Sequence, residues 1–156
     1  MYGLDFGFAE APTVLMKTTT KDTDAWLQQL LHKKGLTNSA LINLLPSLIP
    51  NRFAFIFADN AEPARNEEIN KAGWPNIKPA QKSVTDGIDF VKRFKLYIHE
   101  DSTECIKEVR SYSWKTDRSG NVIGEPVKYM DHCMDATRYA LYSWYKSHVG
   151  VRLRWL

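Results

Sequence analysis

Residues 53–59 read Phe-Ala-Phe-Ile-Phe-Ala-Asp, an apolar run closed by an aspartate. A strand with one wet face would alternate. A run this short and this continuous suits a central strand covered on both faces. A strand of that kind needs a sheet with helices above and below it, and so an α/β arrangement.

The flanking sequence supplies candidates for both. Tyr2, Leu4, Phe6 and Phe8 alternate with Gly3, Asp5 and Gly7, which predicts a strand over 2–8. TVLMKTTT, 13–20, follows Pro12 and is rich in β-branched residues, which predicts a second strand paired with the first through a turn. DAWLQQLLH, 24–32, fits a third strand or a helix. Thr37 or Asn38 can cap a short helix over 39–48 that ends near Pro50. Pro63 suits a helix first turn, and 64–73 reads as a helix stopped by Gly73. NIKPAQ predicts a short strand. Ser83 caps a helix over 84–94 with Val84, Ile88, Val91 and Phe94 as its apolar positions. KLYIH, 95–99, predicts a strand, and Ser102 or Thr103 begins a helix through about 112. A hairpin is expected around Ser119-Gly120-Asn121, and the clearest helix spans 131–149. The order βββαβαβαβα, with the hairpin as a late insert, predicts a mixed sheet flanked by helices, its first strands antiparallel and the later ones parallel.

A chain of 156 residues suits a single domain. Its 44% hydrophobic and 25% charged residues exclude disorder as the main state. Cys105 and Cys133 are far apart and form no CxxC pair, so neither a zinc site nor a disulfide framework is expected, and a reducing cytoplasm is the natural setting. No apolar run approaches the roughly 20 residues of a membrane helix. No signal-peptide pattern opens the chain. The apolar pattern starts at once, as expected of a domain belonging to a longer protein. A net charge of +3 permits nucleic-acid binding without demanding it.

Three aspartates stand where apolar residues should dominate. Asp5 lies mid-strand, Asp59 ends the apolar run, and Asp135 lies near the start of the last helix, one turn after Asp131. Buried carboxylates need partners, and converging ones repel unless a cation sits between them. Magnesium or manganese prefers such oxygen ligands, and two ions about 4 Å apart can stabilise both oxygens of a phosphodiester displacement. Each acid also has a structural alternative. Asp5 can be a hydrogen-bonded strand aspartate, and Asp59 can form a turn or cap with Asn60. Asp131 can be the helix N-cap and His132 a first-turn surface residue, while Arg138 can offset the repulsion between Asp131 and Asp135.

YGLDFGFAEAPTVLMK, FIFADNAEP and KLYIHEDSTECIKEVRSYSWKTDRSGNVIGEPVKYMDHCMDATRYALY together resemble the nuclease domain of tailed-phage large terminase subunits. The likeness covers nearly the whole chain. Its most specific part is a helix running into EVxxYxWxxD, where the family pattern reads ELxxYxWxxD, then a glycine-containing hairpin, then DHxxDAxRYAL. The resemblance implies a ribonuclease H-like fold. It also implies metal-dependent cleavage of concatemeric double-stranded viral DNA at the initiation and termination of packaging, in the host cytoplasm. By resemblance, Asp5, Asp59 and Asp135 match the three metal-binding acids, and His132 matches the histidine of the HxxD step; Asp131 is the secondary ligand candidate. The expected cofactors are two divalent ions, Mg2+ or Mn2+. Asp5 would bridge both, with Asp59 and Asp135 each completing one site, and His132 would orient water or stabilise the leaving group.

The family's whole proteins carry an ATPase motor before the nuclease, and no GxxxxGK[ST] phosphate loop occurs here. Residues 1–156 are therefore expected to be one nuclease domain. Its partners in a full-length protein would be the ATPase domain, the small terminase subunit and the portal. For duplex DNA the expected contacts are Lys82, Trp114, Lys115, Arg118 and Lys128, with Lys78, Lys92, Arg93 and Lys95 as further basic positions. Two rivals share the features seen so far. One is another ribonuclease H-like nuclease such as a Holliday-junction resolvase, and the other is a non-catalytic portal-docking module.

Overall fold

Residues 13–33 resolve the ambiguous third segment as a strand. In the computed structural model, Thr13–Lys21 (β2) and Asp24–Lys33 (β3) pair antiparallel from Thr13↔Lys33 to Lys21↔Asp24. Asp22 closes the turn between them with a positive φ of 52°, a conformation aspartate tolerates better than most residues. Pairing along the whole strand satisfies its backbone groups and decides a pattern that periodicity left open. The structure describes residues 1–81, 83–111, 114–116, 118–126 and 131–152; the side chains of 114–116, 122–126 and 149–152 lie outside the description.

The opening strand is Tyr2–Asp5 (β1), antiparallel to β2 and parallel to Ile56–Ala58 (β4). Ile77–Pro79 (β5) extends the sheet parallel to β4, and Lys95–Ile98 (β6) pairs parallel with β3 at the opposite edge. The strand order is β5-β4-β1-β2-β3-β6. The mixed sheet expected from the sequence is therefore present. Trp114–Thr116 (β7) and Val122–Pro126 (β8) form the late antiparallel hairpin, with Gly120 at a positive φ of 85° in its turn.

Two expected strands are shorter than their patterns. The first stops at Asp5, and Phe8 is 57% exposed. The apolar run contributes only Ile56–Ala58, and Phe53 is 71% exposed, because Asn51 and Asn76 hold residues 51–55 in a turn through the Phe53 N–H and C=O. The helix expected over 84–94 ends at Val91.

Side-chain alternation assigns the two faces. Tyr2, Leu4, Leu15, Ile56 and Ala58 point to one side. There Asn38–Leu48 (α1) and Pro63–Lys71 (α2) close a core with Leu41, Leu45 and Ile69. Thr37 caps α1 by accepting the Ala40 N–H. On the other side Val14, Met16, Ala25 and Leu27 meet Val84–Val91 (α3), Thr103–Ser111 (α4) and His132–Arg152 (α5). Helix α5 packs across β1, β2 and β4. Gly3 permits this: a Cβ there would collide with the Ala136 carbonyl oxygen, so any other residue would push the helix off the sheet. Among the described residues no helix is long and apolar enough to cross a membrane.

Candidate active site

Because β1 and β4 run parallel, their carboxyl ends lie side by side. Asp5 ends β1, and Asp59 follows β4 directly. The Asp59 N–H donates to the Leu4 carbonyl at 3.0 Å and pins the second acid beside the first. Helix α5 begins over the same edge. His132 Nδ1 lies 2.9 Å from Asp5 Oδ2, and Asp135 stands one turn above Asp131, its N–H bonded to the Asp131 carbonyl. An open cleft of about 350 Å³ is lined by Asp59 and Asn60 after β4, Gln81 after β5, and Asp131, Asp135, Arg138 and Tyr139 at the start of α5. Asp5 is not part of that lining and is only 7% exposed.

Each acid is turned to a partner of its own. Asp5 is bonded to His132. Asp59 Oδ1 accepts the Ala61 N–H at 2.9 Å, the turn that its sequence context suggested. Asp135 Oδ1 accepts Arg138 Nη2 at 2.9 Å and Nε at 3.3 Å, so the offset expected of Arg138 is made directly to Asp135. The three carboxylates share one corner of the fold, although their oxygens are not all within 4.8 Å of one another.

Burial and neighbouring charges perturb Asp5 and Asp135. Burial pushes Asp5 up to about 6, the bond to His132 acts against that rise, and the charges of Asp135 and Asp59 add to it. Asp135 is raised chiefly by burial, with Arg138 opposing. His132 is raised by its bond to Asp5. Tyr139 is raised by burial and then by Asp5, Asp135 and Asp59, so its phenol stays protonated beside them.

Asp131 does not act as the helix N-cap, the structural alternative the sequence offered for it. The N–H groups of Cys133 and Met134 are those an N-cap side chain would satisfy. Glu108 Oε2 of α4 takes them instead, at 2.7 and 3.3 Å. Asp131 faces the cleft. His132 is half-buried against Asp5 rather than a surface residue of the first turn.

The donor set fits a hard divalent cation, since carboxylates of Asp59, Asp131 and Asp135 line one open cleft beside Asp5. A second group, His32, Glu108 and Cys133, brings ligand atoms within 4.8 Å of one another. There, however, Glu108 is committed to the α5 backbone, and Cys133 Sγ lies 3.8 Å from Gln29 Oε1. Burial pushes Glu108 up to about 7.

Of the basic and aromatic positions expected to meet DNA, Arg118 is exposed in the turn of the β7–β8 hairpin. Lys82 and Lys128 lie outside the described residues, as do the side chains of Trp114 and Lys115. Lys78, Lys92, Arg93 and Lys95 are exposed. Lys95 belongs to the β6 edge, three strands from β1, so it is not on the acidic corner. Neither Tyr139 nor Glu108 was expected at the site from the sequence. Tyr139 was legible as the residue one turn after Asp135 on the same helix face, whereas the Glu108 cap joins distant segments and has no local signal.

The mixed six-stranded sheet flanked by helices is the ribonuclease H-like fold of terminase nuclease domains. The family model described as "Terminase RNAseH like domain" matches residues 5–143, and the chain belongs to that family. Similar solved structures agree. The nuclease domain of the g2p large terminase of bacteriophage SPP1, crystallised with bound Mn, superposes with a TM-score of 0.78 at 23% identity, over 90% of this chain and 84% of that one. The P22 large terminase nuclease domain gives 0.69 at 20% identity, over 94% and 80%. The large terminase of a thermophilic bacteriophage gives 0.69 at 21% identity, and there the match spans 90% of this chain but 38% of the relative. No curated protein matches the chain in sequence.

Proposed function

We propose that this chain is a divalent-metal-dependent endodeoxyribonuclease that cuts double-stranded concatemeric viral DNA when genome packaging begins and ends. The observation that carries the reading is the convergence of Asp59, Asp131 and Asp135 on one open cleft, next to a buried Asp5 that is bonded to His132. The SPP1 relative with bound Mn supports manganese or magnesium as the ion. Asp5, Asp59 and Asp135 would hold it, with Asp131 as a further ligand, and two ions are expected. When bound, such ions polarise the phosphoryl oxygens and lower the pKa of water.

The side chains have separate tasks. Asp5 fixes the ring of His132 through Nδ1, which leaves Nε2 for water or for the leaving oxygen. Hydrolysis adds a water oxygen to phosphorus and breaks one bridging P–O bond, and the departing oxygen takes up a proton. His132, raised by Asp5, is suited to supply it. Arg138 holds Asp135 in place. The protonated Tyr139 adds a hydrogen-bond donor to the cleft wall.

Duplex DNA needs a basic rim, and Arg118 on the hairpin tip, with Lys82, Trp114, Lys115 and Lys128, is the proposed guide. Residues 1–156 act as a single nuclease domain. The thermophilic-phage large terminase, of which this chain spans 38% and which was also solved with ATP-gamma-S, supports a longer protein with an ATPase domain. A small terminase subunit and a portal as partners, and the host cytoplasm as the setting, belong to the packaging role proposed here. The test is plasmid cleavage in manganese by wild type and by Asp5→Asn, Asp59→Asn and Asp135→Asn. Linear or nicked product from wild type and none from the variants is expected, and full cutting by all three variants would overturn the proposal.

A further inference from the structure

The acids of the cleft depend on where the first turn of α5 sits, and that turn is held from outside its own helix. Glu108 is 2% exposed and reaches from α4 to accept the N–H groups of Cys133 and Met134. Those two residues lie between His132 and Asp135. Helix α4 is itself anchored to the sheet: the Gln29 N–H of β3 donates to Ser102 Oγ at 3.0 Å, and Gln29 Oε1 accepts the Cys105 N–H at 3.0 Å. A continuous set of hydrogen bonds therefore runs from β3 through α4 to the turn that presents the cleft acids.

We infer that Glu108 is a positioning residue for the metal-binding acids: by capping α5 in place of Asp131 it holds His132 against Asp5 and leaves the Asp131 and Asp135 side chains to face the cleft. The inference rests on the nuclease reading above. Two features support it. The acceptor comes from another helix, so it sets the place of α5 relative to the sheet and not only the start of α5. A cap supplied by Asp131 itself, the ordinary local solution, would turn that carboxylate back onto the helix.

The role requires an oxygen acceptor at the right reach. Glu108→Gln keeps both the acceptor and the length. Glu108→Asp keeps the charge but withdraws it by one methylene, and Glu108→Ala removes the acceptor. The measurements, on the full chain, are Mn2+ affinity by calorimetry, plasmid cutting, and amide exchange at Cys133 and Met134. Glu108→Gln is expected within about threefold of the wild-type Mn2+ affinity, and Glu108→Asp and Glu108→Ala weaker by roughly tenfold or more, as for other groups that orient metal ligands. Both weak variants are expected to exchange faster at the two amides. If Glu108→Ala does not fold, the order of Gln against Asp decides the matter, and Asp better than Gln would overturn the role. Wild-type Mn2+ affinity in Glu108→Ala, or unchanged exchange at the two amides, would also overturn it. A wild-type protein that neither binds Mn2+ nor cuts DNA would sink the nuclease reading first.

Discussion

His132 Nδ1 lies 2.9 Å from Asp5 Oδ2, a bond that ties the first turn of α5 to the end of β1 across 127 positions of sequence. It joins a carboxyl raised to about 6 by burial to an imidazole raised by that carboxyl. The pair holds protons more tightly in the fold than in the unfolded chain, and this has consequences for stability, ion binding and catalysis.

Stability without added metal should rise on acidification through neutrality. Both folded pKa values lie above their unfolded ones, so the native state binds more protons. The stabilisation from Asp5 is complete below its ordinary value of 3.8 and is lost as pH rises through about 6. That from His132 is present below 6.5 and lost above its folded value. For Asp5 the penalty at neutral pH is on the order of 3 kcal/mol. Thermal unfolding should therefore show Asp5→Asn more stable than wild type at about pH 8 and little different near pH 4. A less stable Asn variant at the higher pH would contradict the assignment.

A cation competes with the Asp5 proton. Mn2+ should raise Tm in a concentration-dependent way at about pH 8, and the gain should shrink below about pH 6 as the carboxyl reprotonates. Thermal-shift titrations at several pH values measure this. An equal gain at about pH 5 would show that the ion binds elsewhere.

Asp135 is bonded to Arg138 and is proposed to hold a cation, and its variants should separate the two roles. Arg138 is 4% exposed and bonded to Asp135 through two nitrogens. Asp135→Ala takes that carboxylate from a buried guanidinium and should cost roughly 2–3 kcal/mol of stability. Asp135→Asn keeps an acceptor and should cost about 1 kcal/mol or less, while still abolishing cleavage. Denaturant unfolding paired with plasmid cutting reads both. Cutting by a folded Asn variant would remove Asp135 from the catalytic set.

The fold was largely legible because its signals are local. The closing aspartate of the apolar run was legible as the end of a strand, whereas Asp5 read as mid-strand because Phe6 and Phe8 carry the alternation past the point where β1 stops. Segment 24–32 was not legible, since Trp26 and Leu27 are consecutive and only pairing with β2 selects a strand. Phe8 and Phe53 misled in the other direction: hydrophobicity extended both strands past the point where turns end them. At the site, Asp131 read as a helix cap because the sequence shows only its own helix. The competing acceptor, Glu108, is 25 residues from Cys133 in the chain and is found only by folding.

Gly3 should resist every substitution. A Cβ there meets the Ala136 carbonyl oxygen, which belongs to helix backbone and cannot yield as a flexible side chain can. Gly3→Ala should cost about 3 kcal/mol or more and shift α5 away from the strand ends. Denaturant midpoints and Mn2+ affinity should fall together. A variant with wild-type stability would mean that α5 is not packed this closely.

The central claim is that Asp5, Asp59 and Asp135 hold divalent cations together. Anomalous scattering from a manganese-soaked crystal tests it most directly. Manganese about 2 Å from carboxylate oxygens of all three residues is the predicted result. Manganese that binds only at other positions, or touches no more than one of the three, would contradict the account.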